Sequence, residues 1–203
     1  MRIGIIGAGN VGGTLGRRWA GAGHEVVFGT RRPERVETPP GTRAAGVREA
    51  AEHGEVVVLA TPWDGMRDAL EAAGDLAGKV LFDCTNPLAK DLSGLAIGHT
   101  TSAAEQVAAL ALGARVVKIF NSSGAGNMAD PLYGEQAATM LYCGDDGEAK
   151  GTAARLAADL GFEPVDAGPL RNARLLEPLA MLWISLAYAQ GLGPGIAFKL
   201  LRR

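Results

Sequence analysis

Cysteine is nearly absent from this chain. Cys84 and Cys143 lie far apart, without CxxC or His-rich spacing, so neither a disulfide framework nor a metal site is suggested. Both sit in apolar surroundings and read as small core residues. The three histidines, His24, His53 and His99, are scattered and share no zinc-type spacing with carboxylates. Charge of one sign is also missing: the net charge is −2 with no basic block, which argues against nucleic acid as the main partner. The longest apolar run, Leu175 to Ala189, covers only about fifteen residues and contains Glu177 and Pro178. A bilayer-spanning helix needs roughly twenty apolar residues, so this run is expected to be a buried helix and no membrane partner is expected. Met1 leads straight into an apolar segment with no room for a signal peptide, and a cytoplasmic location is the expectation.

The usual catalytic sets are missing as well. No Ser-His-Asp, Cys-His or paired-carboxylate arrangement stands out, and none of Tyr133, Tyr142 and Tyr188 has a lysine four residues on. Enzymes that oxidise alcohols or hydroxy acids need an acid/base partner for the hydroxyl proton. Hydride transfer between a nicotinamide and a flavin-like ring needs chiefly orientation of the two rings.

What the chain does contain is concentrated in its first thirty-two residues. Arg2 to Ile6 is an apolar run expected to form a buried strand. Gly7, Gly9 and Gly12 follow in G-x-G-x-x-G spacing, then an amphipathic helix marked by Val11, Leu15 and Trp19, then a second strand, Glu25 to Phe28. In this βαβ setting the glycines allow a tight turn, approach of a pyrophosphate, and close helix–strand packing. The phosphates would meet Gly7, Gly9, Asn10 and Val11 at the positive end of the helix. An NAD site wants an acid at the end of the second strand. This chain has Gly29-Thr30-Arg31-Arg32 and no acid before Glu34. Short basic runs are often only solvated turns, but the position of this one favours NADP(H). Arg31 and Arg32 offer guanidinium forks to a 2′-phosphate, with Thr30 and Arg35 in support.

Further along, strands are expected at Glu55–Ala60, Lys79–Cys84, Arg115–Phe120, Thr139–Cys143 and Phe162–Asp166. Helices are expected at Val47–His53, from an Asp64 cap to Ala73, from Ser102 to Leu112, and from Asp146 to Leu160. Two more close the chain, Asn172–Gln190 and Pro194–Leu201, and Pro33 to Gly46 reads as a connection. This alternation implies an α/β, Rossmann-type, doubly wound and mainly parallel sheet. Residues 1–168 would form the NADP-binding domain. Residues 169–203 would form a helical segment completing an acceptor pocket or a homodimer interface. Ligands of such sheets bind beyond the carboxyl ends of the strands, which groups the glycine loop with Thr61-Pro62-Trp63, Thr85-Asn86-Pro87 and Asn121 to Gly124. Thr61, Pro62, Asn86 and Asn121 are the expected lining of a hydride-transfer site.

Several segments resemble one family. The glycine fingerprint with Gly29-Thr30-Arg31-Arg32, Thr61-Pro62-Trp63, Cys143-Gly144-Asp145-Asp146, Asp166 to Leu170, Arg174 to Glu177 and Gly195 to Leu200 resemble the NADPH-dependent coenzyme F-420 reductases. Val117 to Asn121 is similar to the cytosolic oxidoreductase domain of the six-transmembrane ferric reductases. The resemblance implies NADPH over the N-terminal half and a deazaflavin, coenzyme F-420, or else FMN or FAD, beside it under the C-terminal helices. The chain departs from the F-420 pattern at Asn121, where that family carries a His, and across Asp83 to Leu92. Two other readings remain: a non-catalytic NADP(H)-binding sensor that meets a partner through the C-terminal helix, and a small-molecule reductase of imine or β-hydroxyacid type using Lys118.

Overall fold

The computed structural model describes residues 1–203. The first half alternates strands and helices as β1 (Arg2–Ile6), α1 (Asn10–Gly21), β2 (Glu25–Gly29), β3 (Thr42–Ala45), α2 (Val47–His53), β4 (Val56–Leu59), α3 (Met66–Ala73) and β5 (Val80–Asp83). Then come α4 (Ala103–Leu110), β6 (Arg115–Lys118), α5 (Ala125–Ala129), a small β7–β8 hairpin (Leu132–Tyr133, Gln136–Ala137), β9 (Thr139–Gly144), α6 (Gly147–Ala158), β10 (Glu163–Asp166) and α7 (Ala173–Ile184). The main sheet has eight strands in the order β10-β9-β6-β5-β4-β1-β2-β3. Its first six strands are parallel and ordered 3-2-1-4-5-6, the doubly wound pattern in which ligands bind at the reversal beside β1. β9 joins β6 antiparallel at Val117↔Gly144 and Lys118↔Cys143, and β10 runs parallel to β9.

The central strands are apolar on both sides because both sheet faces are covered. Ile3, Ile5, Val56, Val58, Phe82 and Val117 pack against Leu15 and Trp19 of α1, Met128 of α5 and Leu156 of α6. The alternate residues Val57, Leu59, Leu81 and Val116 face Met66 and Leu70 of α3, Val107 of α4 and Leu176 of α7. Trp19 also donates its indole N–H to Leu156 O at 2.9 Å, so the buried ring leaves no unpaired donor. Cys84 and Cys143 are both buried in these layers as free thiols.

Several expectations hold closely. α2 spans Val47–His53 with Gly54 after it, and Ser102 caps α4 by accepting from Glu105 N while its hydroxyl donates to Glu105 Oε2. The Ser102 half of the capping box is thus formed, while the Glu105 carboxylate takes the hydroxyl rather than the Ser102 backbone N–H. Three expectations need correction. Asp64 does not cap α3: it lies inside a 3₁₀ turn, Trp63–Gly65, that feeds the helix, and its carboxylate faces Lys90 at 3.8 Å. The connection after β2 contains β3, a short edge strand paired with β2. Pro194–Leu201 is not a helix. Gly191 and Gly193 take left-handed φ values of 74° and 77°, which break the helix after the turn Ser185–Ala189. The tail then runs extended, with Phe198 O accepting from Thr139 N at 2.9 Å and Leu200 N donating to Thr139 Oγ1 at 3.0 Å.

No helix is long and apolar enough to cross a membrane. Of the apolar run Leu175 to Ala189, Leu176, Ala180, Trp183 and Ala187 are buried whereas Leu175, Leu182 and Tyr188 are exposed, so the run is buried along one face and not throughout.

Candidate functional site: the carboxyl edge of the sheet

The glycine loop joins β1 to α1. Gly7 has φ 104°, and a Cβ there would meet Ala60 O at 2.5 Å; a Cβ on Gly12 would lie 1.9 Å from Gly7 O. These two positions therefore exclude side chains for internal reasons. Gly9 differs: a Cβ there would meet no protein atom within 4 Å, so its lack of a side chain leaves space for something outside the protein. The first intrahelical bond runs from Gly13 N to Gly9 O at 2.7 Å. The N–H groups of Asn10, Val11 and Gly12 precede it, no side chain caps the helix, and its first turn holds no acid. An uncapped positive helix end beside an open glycine suits a pyrophosphate.

A cavity of about 470 Å³ opens from this loop. Gly7, Gly9, Thr30, Arg31, Thr61 and Pro62 line it, so six of the residues singled out in the sequence meet there. The Thr61 hydroxyl is buried and has no hydrogen-bond partner in the protein, as expected of a group reserved for a ligand. The exposed Arg31, Arg32 and Arg35 form no ion pair with any carboxylate, which leaves their donors uncommitted. Only Arg31 of the three contributes to the cavity wall. The opposite wall went unnoticed in the sequence: Val47 from α2, with Gly65, Asp68, Ala69 and Ala72. The last four recur at i, i+3, i+4 and i+7, one face of the turn and α3. That periodicity was visible, but it reads equally well as ordinary packing.

Asn86 and Asn121 lie outside this cavity, on the next two strand ends along the same edge. Asn86 Nδ2 donates to Asn121 O at 2.8 Å, and Asn121 Nδ2 donates to Asn86 Oδ1 at 3.1 Å and to Leu176 O at 3.0 Å. Asn121 is 4 % exposed, and its Oδ1 has no partner. Phe120 just before it has φ 60°, an outlying conformation for a bulky side chain. Its ring is held edge-on between Trp19 at 5.6 Å and Phe162 at 6.3 Å. A second cavity, about 230 Å³, lies between Leu95, Gly98 and His99 and the α7 residues Pro178 and Met181.

The sequence reading also missed a buried ion triad. Lys118 Nζ lies 2.9 Å from Asp83 Oδ2 and 3.0 Å from Glu177 Oε1, and all three residues are fully buried. Burial disfavours the ammonium, but the two carboxylates outweigh it and hold the Lys118 pKa above the usual lysine value. Glu177 additionally accepts from Ala103 N at 2.9 Å and Ala104 N at 3.2 Å, at the positive end of α4. Lys118 is thus an ion-paired core residue, unavailable as the cleft lysine that an imine-type or β-hydroxyacid-type reductase would need. Burial first, and then Asp83, pushes the Cys84 thiol up; burial pushes Cys143 up to about 12. Neither thiol is a nucleophile near neutral pH.

A parallel 3-2-1-4-5-6 core, with an open glycine loop at the strand-order reversal and free guanidiniums after β2, defines a Rossmann dinucleotide-binding protein. Residues 2–87 match the family model described as NADP oxidoreductase, coenzyme F420-dependent. The chain is 31 % identical over 207 residues to F420-dependent NADP reductase of Methanothermobacter marburgensis, covering 92 % of each chain. It is 36 % identical over 186 residues to metalloreductase STEAP3 of Rattus norvegicus, where the match covers 89 % of this chain but 37 % of that protein's length. Among solved structures, a provisionally named F420-dependent NADP-reductase from Arthrobacter sp. FB24 superposes with a TM-score of 0.90, 35 % identity and full coverage of both chains. A reductive aminase from Aspergillus terreus shares the fold at 20 % identity and a TM-score of 0.68. The chain belongs to the F420-dependent NADP reductase family and is an NADP-dependent oxidoreductase.

Proposed function

We propose that this protein transfers hydride between NADP(H) and a flavin-like acceptor, with the deazaflavin coenzyme F-420 as the first acceptor to test. The carrying observation is the contrast between the two ends of the carboxyl edge. One end offers an uncapped helix, an open glycine and unpaired guanidiniums, and the other offers paired amides, with His99 as the one titratable side chain lining the cavity against α7. When bound, NADPH supplies the hydride. The protein's part is then to bind and orient: Gly9, Asn10 and Val11 at the pyrophosphate, Thr30 and Arg31 at the 2′-phosphate with Arg32 and Arg35 behind them, and Thr61 and Pro62 toward the nicotinamide. Paired amides at the Asn86–Asn121 end, where Lys118 is locked in an ion triad, favour a ring-to-ring transfer over reduction of an alcohol or imine. Family membership supports a deazaflavin-type acceptor, and the cavity between Leu95, Gly98 and His99 and α7 is the candidate space for it.

Two measurements test this reading. NADPH oxidation should proceed with at least one of F-420, FMN and FAD; no turnover with any of them would end the flavin-like assignment, and tight NADPH binding without turnover would favour the sensor reading. For the cofactor, Arg31→Ala should weaken NADPH binding about tenfold, the scale of one exposed charge-assisted contact, and leave NADH affinity nearly unchanged. Arg32→Ala should have the smaller effect, because Arg32 does not line the cavity. Equal affinity of the wild type for NADH and NADPH would refute the assignment of the arginines.

A further inference from the structure

We propose that the Lys118–Asp83–Glu177 triad is a positioning element for the Asn86–Asn121 pair. It would set where the far end of the cofactor cleft lies, and this rests on the reading of that pair as part of the hydride-transfer site. Three segments of chain meet at the two asparagines, and each passes through the triad within a few residues. Thr85, immediately before Asn86, is held at three atoms. Its N–H and hydroxyl donate to Asp83 Oδ1 at 2.9 and 2.7 Å, and its carbonyl accepts from Lys118 Nζ. Leu176, whose carbonyl accepts from Asn121, immediately precedes Glu177. Lys118 itself stands three residues before Asn121, separated from it by Ile119 and the left-handed Phe120.

Burial of charge is a poor means of gaining stability alone, since apolar residues of like volume often replace such triads without loss. In this proposal the ions add uniqueness: a single ammonium meets both carboxylates and the Thr85 carbonyl at once, which would favour one register of β5, β6 and α7. The unpartnered Oδ1 of Asn121 indicates what that register serves. The pair leaves one buried acceptor unused, and a ligand carrying an N–H or O–H would satisfy it. The triad would thereby fix the position of the Asn121 amide, whose unused acceptor is buried at the strand ends and lines neither cavity, without touching the ligand itself.

The test compares the wild type with the charge-free variant Asp83→Asn/Lys118→Met/Glu177→Gln and with Glu177→Gln alone. Exchange of the Asn86 and Asn121 side-chain amide protons is followed by NMR, with backbone amides of Ile5 and Val58 as internal references. In either variant the Asn121 amide should exchange about tenfold faster relative to those references, as local opening without global unfolding requires. NADPH affinity should stay within about threefold. With whichever acceptor the wild type turns over, kcat should fall while KM for NADPH holds. If the charge-free variant does not fold, Glu177→Gln carries the test, because it retains the Lys118–Asp83 pair. Unchanged relative exchange at Asn121 in a folded variant overturns the proposal. The exchange measurement needs no acceptor, so failure of the flavin-like assignment, seen as an inactive wild type, remains separate.

Discussion

Lys118→Met is expected to lower the unfolding free energy by about 3–5 kcal/mol, because it leaves two carboxylates buried without their cation. Asp83 and Glu177 both lie within 3.0 Å of the lysine ammonium and have no access to water. Against a typical total stability of 5–15 kcal/mol, this loss is large enough to appear as a shift of the urea midpoint or as failure to fold at 37 °C. Adding Asp83→Asn and Glu177→Gln to the methionine variant should recover most of the loss, since the cost lies in the stranded charges rather than in the missing side chain. A single variant as stable as the wild type would mean that the triad is not ionised as its geometry requires.

Gly12→Ala should abolish measurable NADPH binding and lower stability by up to about 3 kcal/mol, the upper range for forced overpacking. The added Cβ would stand 1.9 Å from Gly7 O and 3.0 Å from Ile5 Cγ2. The Gly7 carbonyl is backbone and cannot rotate away, so the turn between β1 and α1 has to open. Gly9→Ala is the informative companion. Its Cβ meets nothing in the protein, so its Tm should match the wild type while NADPH affinity falls, because the methyl would occupy the space proposed for the phosphate. Titration of both variants by nicotinamide fluorescence, alongside thermal melts, checks the pair. A Gly9→Ala protein that binds NADPH normally would remove the glycine loop from the cofactor site.

The parts legible in the sequence share a physical property: they are determined by neighbours close in the chain. β1, β4, β5 and β6 are buried on both faces, so their runs stay apolar and were found within a residue or two. Ser102 and Glu105 cap their helix within one turn, and the glycine loop carries its own spacing. β3 was missed because it is a four-residue edge strand with only Ala45 buried, leaving no apolar run to read. Pro194 to Leu201 carries a helix-like local pattern but runs as a non-helical tail, because Phe198 finds its partner at Thr139, which no local pattern can show. Asp64 had the right residue type for a cap, but the 3₁₀ turn placed it away from the first free N–H groups.

The same division holds at the site. The sequence by itself determined the α/β class, the dinucleotide loop and the basic terminus of β2, since each follows from residue types at short fixed spacing. Tertiary structure alone decided that Arg31 lines the cavity and Arg32 does not, that α3 forms the opposite wall, and that Asn86 and Asn121 join each other. It also converted Lys118 from a candidate cleft lysine into the centre of a buried ion triad. Asp83, Lys118 and Glu177 come from two strands and a helix remote in the chain, and only the packing of α7 against the sheet brings their charges within hydrogen-bonding distance.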